Sequence, residues 1–413
     1  MNKRLAVVFA LGFSSGLPLA LVSTTLQAWF ADEGASILTT GLLSLLGLPF
    51  AYRIILGPLI DRFTLIPIGK RRSWMLIAQI ILLFGFNAMA WLSPTEATSL
   101  IILTGFLLAI FAASQDTAID AYRIEYLLPR EYSVGASLSV CGYRIAMFVS
   151  GGVALIIAKN FGWAFTYRTM GVLMIVGIIA TIFGTEQQPI SQDKTNFIKS
   201  CIEPIKDLFA KPDSIFLLLF ILFYKLGEVF TTSSSGIIMP FLLQGIGFPL
   251  DTVGYINKLL GGLTTILGGL MAGFFLTRWS LFNALFTFGL LQALTNILFL
   301  LLAIYGKNIV LFALAVGCDN FTAGMSTTAL VVFFMRLVNK KFIASQFSLL
   351  VAMASLPNIF SGPLAAFLQS YFGWVGLYEI ALLLSYAFIP FLFSIRTPLI
   401  ATVDQQLPLS SVS

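Results

Sequence analysis

Of 413 residues, 58% are hydrophobic and only 10% charged, too little charge to cover a soluble surface of this size, so the chain reads as an integral membrane protein. Three cysteines, Cys141, Cys201 and Cys318, are too few and too scattered for a disulfide framework. The formal net charge of +6 says little as a total; its distribution among loops orients such a chain.

Taken in order, the chain opens on Met1-Asn2-Lys3-Arg4 and an apolar run that continues past the length of a signal-peptide core, which predicts an uncleaved first span. Apolar segments of about 20 residues, enough to cross a bilayer, fall near 5–30, 37–60, 74–93, 99–128, 134–158 and 169–185. They resume near 214–240, 252–276, 281–304, 309–335, 342–371 and 375–395. The expectation is an all-α polytopic membrane protein of twelve transmembrane helices in two six-helix halves, 1–185 and 214–400. A cytoplasmic linker, 186–213, joins the halves, and 401–413 form a cytoplasmic tail.

Placing the N-terminus inside puts on the cytoplasmic side Lys3, Arg4, Arg62, Lys70, Arg71, Arg72 and Arg130. The linker lysines, Arg278, Arg336, Lys340, Lys341 and Arg396 join them, and only Lys159, Arg168 and Lys307 remain opposite. Both termini are therefore expected in the cytoplasm. In the linker, Phe197, Ile198, Cys201, Ile202, Ile205, Leu208 and Phe209 recur at helical spacing, as in an amphipathic helix on the inner leaflet that Pro204 would bend or break. A structural tether is favoured there over a regulatory site. Thr40-Gly41-Leu42-Leu43 and Val253-Gly254-Tyr255-Ile256 open the second span of each half, and the fourth spans carry Asp116 and Asp319. Such halves are a transporter architecture, with substrate near the midplane between them.

The stretch Ala113 to Arg123 concentrates the chemistry. On a helix Asp116, Asp120 and Arg123 (i, i+4, i+7) share one narrow stripe, while Glu125 points roughly the opposite way. An ionisable group at the bilayer centre costs about 2.5–3.5 kcal/mol by insertion scales, so these groups must face protein or a wet cavity and partner one another. A charge cluster pinning helices and a substrate or proton site are both open readings; intramembrane ionisable residues favour the second. The other deep charges are Arg53, Arg144, Lys225, Glu228, Lys258 and Asp319. Lys225 and Glu228 can pair at i, i+3, Lys258 can snorkel to the surface, and Arg53 and Arg144 suit an anionic or carboxylate-bearing substrate. Ser14-Ser15-Gly16-Leu17-Pro18 interrupts span one and is expected to line the cavity, whereas the other in-span glycines and prolines read as close packing.

With no histidine, zinc HExxH sites, Ser-His-Asp triads and histidine proton relays are excluded, and no Walker A sequence is present. No cofactor or metal is expected, and an enzyme is disfavoured for want of a large polar loop. The expected partners are a small-molecule substrate, protons and the lipid bilayer, not nucleic acid, with the chain a monomer. Proton coupling must then use carboxylates, Asp116 and Asp120 first, Glu228 and Asp319 next.

Gly57-Pro58-Leu59-Ile60-Asp61-Arg62 followed by Gly69-Lys70-Arg71-Arg72 resembles the motif A loop of the major facilitator superfamily. The resemblance implies the major facilitator fold and a cytoplasmic gate made by Asp61, Arg62 and Arg71. Phe13 to Pro18, Leu26-Gln27-Ala28-Trp29, Gly41 to Pro49, Ala113 to Asp116 with Asp120 to Arg123, Asp319-Asn320-Phe321 with Gly324-Met325, and Ser345 to Leu350 are similar to the AmpG muropeptide permeases. Leu356-Pro357-Asn358 departs from the Gly-Arg pair common there. The resemblance implies a proton-coupled importer of anhydro-muropeptides in the bacterial inner membrane, working by alternating access. Gly16, Arg53, Gln115, Arg123 and Arg144 would shape the substrate site, joined by Gln27, Tyr122, Lys225, Lys258 and Asn320. The same branch resembles siderophore importers and acetyl-CoA carriers, and a receptor without flux is the remaining alternative.

Overall fold

A computed structural model describes residues 2–34, 43, 46, 49, 53–186, 197–210, 213–231 and 238–396. Among them there is no strand, and the helices are α1 (Lys3–Leu21), α2 (Thr24–Asp32), α3 (Arg53–Arg62), α4 (Lys70–Met89), α5 (Thr98–Tyr126), α6 (Tyr132–Phe148), α7 (Ala154–Phe161), α8 (Trp163–Leu173) and α9 (Ile175–Phe183). They continue with α10 (Phe197–Phe209), α11 (Ser214–Val229), α12 (Gly261–Leu276), α13 (Leu281–Tyr305), α14 (Ile309–Leu337), α15 (Ile343–Ser385) and α16 (Phe388–Ser394). Lipid offers the backbone no hydrogen-bond partner, so apolar runs of this length must satisfy their amides within a helix.

Nine helical stretches among the described residues are long and apolar enough to cross a membrane, and they coincide with the first, third to sixth, eighth to tenth and twelfth expected spans. The second, seventh and eleventh are represented by the shorter α3, α11 and the start of α15. Gly373, with φ of 67°, breaks α15 between the eleventh and twelfth expected spans, a left-handed conformation that glycine adopts without steric cost.

Two corrections concern proline. The first span is interrupted not at Ser14 to Pro18 but after it: α1 runs through Pro18 and ends at Leu21, and the chain resumes as α2 at Thr24. Proline lacks the N–H that would bond the carbonyl four residues earlier, so the freed Ser14 carbonyl sits inside an otherwise regular helix. In the linker, α10 continues through Pro204 rather than breaking there. Pro204 and Leu208 are its buried face and Ile202, Ile205, Lys206 and Phe209 its exposed one, so the helix is held by its apolar contact rather than by every amide bond. Lys194, Lys211, 35–42, 47–48 and 401–413 lie outside the described residues.

The chain clusters into two compact units. One comprises Met1–Leu128, Leu138–Ile205 and Val338–Leu349, and its apolar core gathers Leu26, Trp29, Phe30, Phe86, Ile101 and Tyr167. The other comprises Pro129–Ser137, Lys206–Leu337 and Leu350–Ser413, built around Phe230, Phe241, Phe299, Phe312, Leu377 and Tyr378. Small residues set the helix spacing inside each. Any Cβ added at Gly12 or Gly16 of α1 would meet the carbonyls of Ser139 and Tyr143 on α6, and one at Gly268 of α12 would meet the Phe321 carbonyl on α14.

Candidate functional site

In the first unit, α5 presents Asp116, Asp120 and Arg123 as one stripe, and Arg53 at the start of α3 reaches across to it. The Arg53 guanidinium forks, Nη1 lying 2.9 Å from Asp116 Oδ2 and Nη2 2.6 Å from Asp120 Oδ2. Arg123 Nη2 lies 2.9 Å from Asp120 Oδ1, and its Nη1 donates to Ser139 Oγ on α6 at 2.7 Å. The Arg123 guanidinium also stands 5.6 Å from the Phe347 ring centroid. On α1, the Ser15 hydroxyl donates to Asp116 Oδ1. Two arginines against two aspartates leave no formal net charge. The Arg53, Asp116 and Asp120 side chains are 10–15% exposed, so the cluster is not completely buried.

Other expected members of this site lie elsewhere. Gln115 is wholly buried and its Nε2 donates to Ser14 O at 2.7 Å, the carbonyl that Pro18 leaves without a helical partner. Gly16 is pressed against the Tyr143 backbone rather than lining an opening. Tyr122, on another face of α5, stacks on Tyr126 at 4.9 Å between centroids and donates to Thr185 O at 3.0 Å. Arg144 is half-buried beside Tyr143, which lies within electrostatic reach of Arg53 and Asp116; Arg144 makes no ion pair among the described residues. Gln27 is half-buried and makes no side-chain hydrogen bond among them.

A second network occupies the end of α3. Asp61 Oδ1 accepts from Arg71 Nη2 at 2.7 Å and from Ala344 N at 3.2 Å, while its Oδ2 accepts from Ser345 N at 2.8 Å and Ser345 Oγ at 2.5 Å. The carboxylate thereby caps the N-terminus of α15, where the free amides and the helix dipole favour an anion. Arg71 also holds Glu125 Oε1 at 2.9 Å, and Lys70 Nζ donates to Asp61 O at 2.7 Å. Arg62, expected in this gate, instead lies with its guanidinium 5.3 Å from the Phe63 centroid. Arg72 donates to the Thr181 and Ile182 carbonyls at the end of α9, a cation at a helix C-terminus.

In the second unit, Lys225 and Glu228 form the expected i, i+3 pair at 2.6 Å, and Lys225 also donates to Thr327 Oγ1 at 3.0 Å. Asp319 is completely buried and accepts on Oδ1 from Gln292 Nε2 at 2.7 Å, Thr231 Oγ1 at 2.9 Å and Thr295 Oγ1 at 3.1 Å. Asn320, next in sequence, turns to α12, accepting from Thr265 Oγ1 at 3.3 Å. The Lys258 side chain lies outside the described residues. Ser15 belongs to the stretch expected to line the cavity, whereas Ser139, Glu125, Thr231, Gln292 and Thr295 were not among the expected site residues; polar groups recurring inside apolar spans were their only signal.

The Major Facilitator Superfamily profile matches residues 8–356. The anhydromuropeptide permease of Escherichia coli K12 is 39% identical over 91% of this chain and 76% of that protein. A transporter of Rickettsia conorii described as AmpG 4 is 30% identical over 93% and 94%. Two solved structures superpose with TM-scores of 0.71 at 12% identity, each covering 95% of this chain and 99% of the other: a bacterial homologue of the iron transporter ferroportin, and the transporter FucP. At that identity they speak for the fold alone. The all-helical chain is a membrane transporter that belongs to the Major Facilitator Superfamily, in its branch of AmpG-type permeases.

Proposed function

We propose that the protein is a proton-coupled secondary transporter that carries anhydro-muropeptides into the cytoplasm by alternating access. The 39% identity to a protein named anhydromuropeptide permease supports the substrate class. The observation that carries the mechanism is the forked Arg53 clamp on Asp116 and Asp120, balanced in charge and partly open. A peptide carboxylate entering there competes with an aspartate for a guanidinium, so binding rearranges buried ion pairs instead of adding an unpaired charge. In this reading Arg53 and Arg123 meet the substrate carboxylate, with Arg144 as a further cation nearby. The coupled proton belongs to a carboxyl among Asp116, Asp120, Glu228 and Asp319.

The loop basic residues support a bacterial inner-membrane protein with both termini inside, and hence a cytoplasmic position for the Asp61–Arg71–Ser345 network, which we read as a gate. The two sequence halves, 1–185 and 214–400, are the elements proposed to move, with 186–213 as their tether. The test is uptake by reconstituted vesicles under an imposed pH gradient. Labelled anhydro-muropeptide is expected to accumulate and to bring protons with it. Accumulation of a siderophore in its place would overturn the substrate, and binding without flux would overturn transport.

A further inference from the structure

Asp319 differs from every other buried acid in the described spans. Asp116 and Asp120 face Arg53 and Arg123, Glu228 faces Lys225, and Asp61 faces Arg71. No described cation reaches Asp319. Its Oδ2 is buried with no hydrogen-bond partner, and the donors all crowd onto Oδ1. One of those donors is weaker than it looks. Thr295 has a single hydroxyl proton and a nearer acceptor, Gln292 O at 2.7 Å.

Charge balance then separates the two units. In the first cluster both aspartates ionised give zero net charge, and adding a proton leaves a guanidinium unmatched. In the second, Lys225 and Glu228 cancel, so an ionised Asp319 is a surplus negative charge in a dry place. An isolated ion there carries a desolvation cost of several kcal/mol. Adding one proton removes the surplus. The titratable groups around it are Glu228 on α11, already paired, and Tyr378 on α15, whose hydroxyl is likewise buried and unpartnered. The α13 helix contributes the non-titrating Gln292 and Thr295.

Resting on the proton-coupled reading above, we propose that Asp319 is the residue that carries the transported proton, on Oδ2, rather than Asp116 or Asp120, whose charges Arg53 and Arg123 balance. The proton adds to Oδ2 from water on the outer side and leaves to water on the inner side, with no other bond made or broken. Asp319→Asn copies the protonated state, keeping the acceptor on the Oδ1 side, and is expected to fold.

The test uses the full chain in vesicles. Infrared spectroscopy of the unaltered protein at neutral pH should show a protonated-carboxyl stretch that Asp319→Asn lacks and Asp116→Asn keeps. With the membrane potential clamped and one proton per substrate, a gradient of one pH unit drives at most about tenfold accumulation of anhydro-muropeptide. Asp319→Asn should reduce that ratio to one, with substrate exchange across the membrane kept within about threefold. Thr295→Val, which leaves the carboxyl in place, should shift the pH midpoint of the infrared band. A band unchanged by Asp319→Asn, no protonated band at all (as an anion held by Lys258 would give), full accumulation by Asp319→Asn, or accumulation that follows a sodium gradient instead of pH would each overturn the assignment. If neither protein moves muropeptide, the proposed function falls and the infrared band alone decides the role of Asp319.

Discussion

Replacing Arg53 by methionine tests whether the cluster on α5 is held by charge. Arg53 is a single guanidinium serving two carboxylates, at 2.9 Å and 2.6 Å, and Arg123 reaches only Asp120. Each contact is worth about 4 kcal/mol of attraction at an effective dielectric of about 20 and a charge separation of about 4 Å. Removing one partner of a buried pair costs about 3–5 kcal/mol, because the surviving charge is stranded. The 10–15% exposure of these side chains lets water relieve part of that, so the expected loss for Arg53→Met is about 3 kcal/mol, or roughly a hundredfold in the unfolding equilibrium. Asp116→Asn restores neutrality in the double variant while leaving the Ser15 contact an acceptor, and should recover about 2 kcal/mol of the loss. Both quantities can be read from unfolding in mixed detergent and dodecyl-sulfate micelles. An Arg53→Met protein within about 0.5 kcal/mol of the parent, or strictly additive effects in the double variant, would show that the ion pairs contribute little and that packing alone holds α3 to α5.

Two further substitutions probe the helix contacts. A Cβ added at Gly57 would lie 2.7 Å from Ser345 Cα and 2.8 Å from Ala344 O, so Gly57→Ala must push α3 from the start of α15 by a few tenths of an ångström or more. A cysteine placed at Ser348 should then react several-fold faster with a thiol reagent added to the detergent-solubilised protein; an unchanged rate would mean that this contact does not shield the position. Gln115→Leu strands the Ser14 carbonyl and is expected to cost about 1–3 kcal/mol, whereas Pro18→Ala supplies the missing backbone N–H. In the Pro18→Ala background the Gln115→Leu loss should shrink by at least half, and an equal loss in both backgrounds would remove the proline from the explanation.

Apolar run length alone located most of the helices, since a span must be both long and apolar to exist in lipid. Helical periodicity likewise placed Asp116, Asp120 and Arg123 on one stripe. The partner of that stripe was not legible. Arg53 could be recognised as a deep cation, but the register of α3 against α5 depends on packing over a sequence separation of more than sixty residues, and Arg53 read equally well as a ligand for an anionic substrate. Gln115 shows the same limit from the other side. The freed Ser14 carbonyl follows from Pro18 by a local rule, yet which helix would supply its donor does not. Arg62 and Arg71 were indistinguishable as charges, and only the course of the chain between α3 and α4 decides that Arg71 turns inward to Asp61. Asp319 was visible as an acid at membrane depth, but that no described cation reaches it is a property of three other helices.

The first helix ties these observations together. Its consecutive residues Ser14 and Ser15 are bonded to the consecutive residues Gln115 and Asp116, one through a carbonyl released by Pro18 and one through a hydroxyl. The same helix is pressed onto α6 through Gly12 and Gly16, and α6 supplies the Ser139 that holds Arg123. A displacement of α1 along α5 therefore cannot leave the ion pairs untouched, because Asp116 would lose Ser15 on one side while Arg123 felt the shift of α6 on the other. Coupling of this kind needs a contiguous network with two discrete arrangements, and hydrogen bonds and ion pairs supply discrete steps where lipid-facing apolar contacts do not. The proline that frees one backbone carbonyl thus gives α5 a polar grip on α1 one residue from the charged stripe.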